Sequence, residues 1–253
     1  MYNDAVATLN LIMYPIIIMA AIAFRIGLKD KSDFCRRLPF MIISVGLLCA
    51  EAGKQIYGIA IGEYNLFWLP FHICTIVIVG FAVISFKNPD KTTSKIFWCL
   101  TLSTGLLVSL AVIIAPYPII GYAATDILDG TADYIAWYSV SAHYALILLF
   151  AMGISLNMYT PEFKDIVWSI VMWVGSLIII VSFANIFQIN YANFLEFKLP
   201  FLDVGKLGIP LFQTILFLGY VVVYALGAVG LYGYARLKDR MSGPQVVDIQ
   251  AWG

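Results

Sequence analysis

Seven stretches of the chain are apolar for about twenty residues or more, at roughly 6–26, 39–61, 66–86, 96–116, 134–157, 166–188 and 208–235. A run of that length is what a helix needs to cross the hydrocarbon of a bilayer. In hydrocarbon the backbone has no water to bond, so it must close its own hydrogen bonds, as a helix or as a sealed barrel. Twenty-residue runs point to helices, not to the short alternating segments of a barrel. The expected fold is therefore all-α: a polytopic membrane protein with seven transmembrane helices. Composition agrees. Of 253 residues, 62% are hydrophobic and only 12% are charged, about half the charge of a soluble domain. The connections are short, so residues 1–240 read as one transmembrane domain. Residues 241–253, which include Gly243 and Pro244, read as a loose polar tail.

The same composition excludes other classes. Net charge is zero, which gives no bulk attraction to nucleic acid. The four cysteines, Cys35, Cys49, Cys74 and Cys99, form no C-x-x-C pair, so neither a disulfide framework nor a zinc knuckle is indicated. No positive n-region precedes the first apolar run, where Asp4 stands; that run is expected to be a retained span, not a cleaved signal.

Orientation follows from the loops. Twelve Lys and Arg, among them Arg25, Lys29, Arg36, Arg37, Lys87, Lys95, Lys164 and Lys238, fall on one side of the seven-span arrangement. Only Lys198 and Lys206 fall on the other, alongside Glu63, Asp126, Asp129, Asp133, Glu196 and Asp203. Basic loops stay in the cytoplasm, so the N-terminus is expected outside and the C-terminus inside.

Few polar side chains remain within the runs. Lys54 lies in the second with Glu51 three residues before it, on one helical face. An ionisable residue in a span costs at least about 2.5 kcal/mol by insertion scales, so it faces a partner or a cavity. The third run opens with Trp68-Leu69-Pro70-Phe71-His72-Ile73-Cys74, with Pro70 expected in the first helical turns. On a regular helix His72 and Cys74, two apart, point to roughly opposite sides. His143 lies in the fifth run and Asn185 near the end of the sixth. At ~1.5 Å per residue, Cys74 and His143 both lie about 12–13 Å from the outer surface, Glu51 about 15 Å and Lys54 about 10 Å. Cys74, His143, Glu51, Lys54, His72 and Asn185 thus form an expected polar layer in the outer half of the membrane.

Such a layer suits acyl transfer. A thiolate attacks an ester carbonyl, an imidazole takes and returns the proton, and a carboxylate or amide orients the imidazole. Lys54 or an N–H group can meet the developing oxyanion. At that depth the reachable esters are those of membrane lipids. No phosphate-binding loop and no paired metal ligands at helical spacing occur, so no cofactor and no metal are expected. Each residue also has a structural reading: Glu51 with Lys54 as a neutralised pair, Cys74 as a small buried hydrophobe, His72 as a bonded core residue. Gly105, Gly153, Gly175, Gly219, Gly227 and Gly230 are read as packing positions.

Two segments carry a resemblance. Leu69-Pro70-Phe71-His72-Ile73-Cys74 resembles the Leu-Pro-Leu-His-Leu-Cys signature of bacterial YwaF-like membrane proteins, relatives of the transmembrane protein 164 family. Asn190-Tyr191-Ala192-Asn193-Phe194-Leu195, followed by Lys198-Leu199-Pro200, resembles that family's Asn-Tyr-x-Phe-Leu…Lys-Pro stretch with two one-residue insertions. His143 matches the family's His in the fifth span. The resemblance implies an integral protein of the bacterial plasma membrane that acts on lipid as phospholipid acyltransferase or hydrolase. It implies Cys74 as nucleophile and His143 as general base, with Asn190, Tyr191 and Lys198 at the substrate mouth and no role assigned to His72. Two other classes stay open on the residues alone: a transporter or channel using Glu51, Lys54 and His143, and a lipid-binding protein without chemistry.

Overall fold

The computed structural model describes residues 2–87, 92–114, 116–195 and 204–241. Among the described residues the chain is helical, with no strand. The helices are α1 (Tyr2–Leu28), α2 (Asp33–Ala60), α3 (Ile73–Phe86), α4 (Thr92–Ile114), α5 (Tyr117–Leu128), α6 (Tyr134–Ser155), α7 (Phe163–Phe187), the four-residue α8 (Val204–Leu207) and α9 (Ile209–Met241). Single 3-10 turns lie at Leu66–Trp68 and Tyr191–Asn193. Lys198 and the tail 242–253 lie outside the described residues.

Among the described residues, six helical segments are long and apolar enough to cross a membrane, within α1, α3 with its preceding turn, α4, α6, α7 and α9. The remaining long helix, α2, has 28 residues and carries Asp33, Arg36, Arg37, Glu51 and Lys54. The connection expected between the fourth and fifth apolar runs instead contains α5. Its twelve residues give about 18 Å, too little to cross a core of about 30 Å. It packs on α1 and α6.

Helix starts follow local chemistry. Ser32 caps α2 by accepting from the Cys35 N–H at 3.4 Å. Asp133 caps α6 by accepting from the Ala136 N–H at 2.8 Å. Glu162 and Asp165 form a reciprocal capping box at the start of α7. Each places acceptor oxygens on N–H groups that have no partner within the helix.

The hub is α4, which packs against α3, α6, α7 and α9. Its hydroxyls are buried with its apolar residues: Thr104 donates to the Leu100 carbonyl at 2.8 Å and Ser109 to the Gly105 carbonyl at 2.7 Å. On one side of it Phe40, Phe81 and Trp98 are fully buried, with Phe40 centred 6.3 Å from Phe81 and 5.9 Å from Trp98. On the other, Trp173 stacks on Tyr224 at 5.2 Å. Outward, Leu11, Ile26, Ile114 and Ile186 are largely exposed, the surface that lipid covers. Of the glycines read as packing positions, Gly105, Gly153 and Gly227 meet Phe150, Leu102 and Leu106, whereas Gly175, Gly219 and Gly230 have no neighbour within 4 Å of an added methyl.

The basic loops gather at one end. Arg25 bonds the Ser155 carbonyl, Arg37 the Lys87 carbonyl at 2.8 Å, Lys95 the Glu162 carboxylate and Lys238 the Asn157 amide. Lys164 lies 2.8 Å from Glu162 on its other oxygen. Together Lys164 and Lys95 hold the Glu162 carboxyl down to about 2.

Two outcomes are expected. Phe40→Ala lowers the thermal unfolding midpoint by the equivalent of about 3–5 kcal/mol, while Leu11→Ala at the lipid face changes it little. Glu162 is ionised more readily in the folded chain, so its contribution is full above its unfolded value near 4.5 and is lost as pH falls toward about 2. Being exposed, the effect is small and salt-screened; Glu162→Gln removes it from a melting series across that window.

Candidate functional site

The site is assembled where α2, α3 and α6 meet at the end away from the basic loops. On α2, Lys54 Nζ lies 2.7 Å from Glu51 Oε1, with both side chains 8% exposed. This is the charge pair expected from the spacing. The structure adds partners that the sequence reading missed. Gln55 Nε2 donates to Glu51 Oε1 at 3.0 Å and also to the Trp68 carbonyl. Tyr138, on α6, donates to Glu51 Oε2, and Lys54 sits over the Tyr138 ring at 5.0 Å. Tyr134, one turn earlier, donates to the Ala50 carbonyl at 2.8 Å. Their signal lay in the i, i+4 spacing of two tyrosines running inward from the interface.

The third apolar run does not begin as a helix. Leu69 is extended (φ −56°, ψ 150°) because the residue before a proline is disfavoured in the helical region. Pro70 therefore lies outside the helix, not in its first turns, and α3 begins at Ile73 with His72 as its extended N-cap. The expected opposition of His72 and Cys74 on one regular helix is corrected accordingly. His72 Nε2 bonds the Phe67 carbonyl at 2.9 Å, and its ring packs at 4.5 Å from Phe67 and 5.4 Å from Tyr191. Its place is in the turn that leads into α3.

Cys74 becomes the second residue of α3, in the first turn. There the backbone N–H groups point out of the helix end without intrahelical partners, at the positive end of the dipole. His143, Lys54 and Glu51 are the groups whose charges act on its thiol. His143 Nδ1 lies 2.7 Å from the Ser139 carbonyl one turn back. A carbonyl only accepts, so Nδ1 carries the proton and Nε2 is left as an acceptor. Cys74 and His143 are both half-buried, within the bundle wall and not sealed in its core. Cys35, Cys49 and Cys99 are likewise free thiols, and neither histidine of the chain is on their helices.

Four expected residues are elsewhere or outside the description. Asn185 is exposed and exchanges amide bonds with Gln213 of α9, at 3.2 and 2.8 Å. It follows Ala184, the last residue of the buried stripe Leu177, Ile180, Ala184, so the helix turns it away from the layer. Tyr191 is buried, not open at a mouth; its hydroxyl bonds the Leu66 carbonyl. Asn190 accepts from the Leu195 N–H at 2.8 Å and shapes the turn. Lys198 is not among the described residues. Among the described residues, no group of three or more His, Cys, Asp and Glu is arranged to hold a metal ion.

A glycine sets the spacing. A methyl on Gly58 would overlap the Trp68 ring, and Trp68 supplies the carbonyl that holds Gln55.

The comparisons with known proteins come to one match. The family model described as "TMEM164 family" matches residues 4–236, which include every described residue of the cluster. No curated protein and no solved structure matches.

The charge pair yields a double-mutant test. Lys54→Met alone leaves Glu51 buried without its cation and is expected to cost about 3–5 kcal/mol. Adding Glu51→Gln restores most of the loss, because replacing both charges is far milder than orphaning one; melting of the four proteins in detergent reads the cycle.

Proposed function

The chain belongs to the TMEM164 family, and on that footing we propose that this integral membrane protein transfers acyl groups from lipid esters through a Cys74 thioester. The reading is supported by Cys74 standing in the first turn of α3, in the field of a His143 whose Nδ1 is fixed by the Ser139 carbonyl. That tautomer is the one a general base requires.

The steps balance as follows. His143 Nε2 takes the thiol proton, and the Cys74 thiolate attacks the ester carbonyl. The oxyanion is met by first-turn N–H groups of α3 and, across the cluster, by the positive charge of Lys54. Collapse expels the glycerol oxygen, which takes the proton from the imidazolium and leaves as a lysolipid. Cys74 then carries the acyl group. A hydroxyl acceptor, a second lysolipid or water, gives its proton to His143, attacks the thioester and restores the thiol.

In this reading seven helices cross the membrane, α2 included, with α5 lying within the outer half. The basic end faces the cytoplasm by the positive-inside rule, in a bacterial plasma membrane, and Cys74 lies at the depth of the outer-leaflet esters. Nothing favours a transport path through Cys74. One to two turns below it and His143, the helices present Ile78, Phe81, Leu146 and Ile147, all apolar and buried.

The test is the intact mass of the purified protein after incubation with mixed phospholipids. Wild type is expected to gain a fatty-acyl mass that hydroxylamine removes, and Cys74→Ala to gain none. His143→Ala is expected to lose about 10²-fold or more in turnover, the scale of a general base, while melting normally. Undiminished lipid turnover by well-folded Cys74→Ala overturns the proposal.

A further inference from the structure

A second buried polar cluster lies among α4, α7 and α9, toward the basic end and independent of the Cys74 chemistry. On α7, Asp165 and Ser169 are one turn apart; on α4, Cys99 and Ser103 are one turn apart; α9 supplies Tyr224 and the connection before α7 supplies Tyr159. Asp165, Ser169, Ser103, Cys99 and Tyr224 are essentially inaccessible. Ser169 donates to the Ile166 carbonyl at 2.9 Å and lies 3.3 Å from the Cys99 sulfur. Tyr159 and Ser103 also flank that thiol, and Ser169 and Ser103 flank the Tyr224 hydroxyl.

The cluster is unevenly satisfied. Asp165 Oδ2 accepts twice, from the Tyr159 hydroxyl at 2.8 Å and from the Glu162 N–H at 3.1 Å. Asp165 Oδ1 is buried with no hydrogen-bond partner among the described residues, and the buried Ser103 and Tyr224 hydroxyls, which stand beside one another, form no well-aligned hydrogen bond there. Lys164, next to Asp165 in the chain, and Lys95 of α4 both bond Glu162. A neutral Asp165 does not resolve this. With Oδ2 occupied as acceptor, the proton would sit on Oδ1 and find no acceptor. An ionised Asp165 is favoured at the start of α7, where its Oδ2 takes the capping bonds, but its buried Oδ1 still lacks a partner.

A cation meets that need. The available donors are one carboxylate oxygen and three hydroxyl oxygens, all hard, which select an alkali or alkaline-earth ion over a thiol-seeking metal. A single carboxylate balances one positive charge, whereas divalent sites of hard cations usually gather several. A cavity of about 210 Å³ opens nearby, with Tyr159 and Leu102, the neighbour of Ser103, in its wall. Lys238 at its rim is bonded to Asn157. We infer that Asp165, Ser103, Ser169 and Tyr224 form a binding site for a small monovalent cation such as sodium, which takes fewer donors than the larger potassium.

The measurement is thermal unfolding of the full purified chain in detergent during a NaCl titration, with ionic strength held by choline chloride. Wild type is expected to gain stability saturably with sodium, as binding to the folded state alone requires. Asp165→Asn abolishes the gain. Losing even an outer partner of a metal ligand costs about tenfold or more in affinity, so Ser103→Ala and Tyr224→Phe shift half-saturation upward by at least that. Because neither hydroxyl has a well-aligned hydrogen bond to lose, both variants are expected to melt close to wild type in choline chloride, which keeps the test valid if Asp165→Asn does not fold. Identical wild-type melting in sodium and choline chloride overturns the inference. So does a sodium response that Ser103→Ala and Tyr224→Phe leave unchanged.

Discussion

Interrupting a helix within an apolar bundle exposes backbone groups that lipid cannot bond, and the candidate site is built on one such interruption. Between Leu66 and His72 the chain leaves helical geometry, and protein groups take up the freed carbonyls. Gln55 takes that of Trp68, Tyr191 that of Leu66 and His72 that of Phe67. These contacts come from α2, from the turn after α7 and from the segment itself, so two remote parts of the sequence help to fix one break. Its consequence is the late start of α3. Only because α3 begins at Ile73 does Cys74 stand in a first turn, where unbonded N–H groups and the dipole favour negative charge.

The charges around that break are arranged to be nearly self-contained. Glu51 receives Lys54 and Gln55 on one oxygen and Tyr138 on the other. A carboxylate so fully bonded is held in one orientation. It is also a fixed element: Tyr138 ties it to α6, the helix that carries His143 five residues on. The pair therefore joins α2 to the helix bearing the imidazole, and the structural and functional readings of Glu51 and Lys54 are compatible.

How much of this was legible follows from what each signal depends on. Hydropathy over twenty residues is a one-dimensional property, and it located every long helix. The Glu51–Lys54 pair was legible because i, i+3 spacing on one helix is local. Depth counting set Cys74 and His143 in one layer on a regular helix from Leu66, whereas α3 starts only at Ile73. Helix rotation was not legible. Depth placed Asn185 correctly along α7, yet one residue of rotation, about 100°, sends it to Gln213 on the other side. Pro70 was the overlooked signal: its effect on Leu69 foretells the break. Asp165 was missed for another reason. It sits two residues inside α7, at a span boundary where an acid looks like a solvated cap, and only tertiary packing buries it completely.

The two polar clusters divide the membrane between them. Cys74 and His143 lie toward one end and Asp165 toward the other, and α4 contacts the helices that carry all three. A hub helix would ordinarily be the most apolar one, but α4 buries Ser94, Thr101, Ser103, Thr104 and Ser109. Small hydroxyl residues let neighbours approach closely and can bond back to their own carbonyls, as Thr104 and Ser109 do. Ser94, Thr101 and Ser103 are buried without such a bond, and of the three Ser103 stands beside Tyr224. Had packing alone selected it, alanine would fill the space without burying an unsatisfied hydroxyl. The serine is intelligible if its oxygen has a ligand to hold. That same logic separates α4 from the Cys74 layer, where each buried polar group of Glu51, Lys54 and Tyr138 already has its partner within the protein.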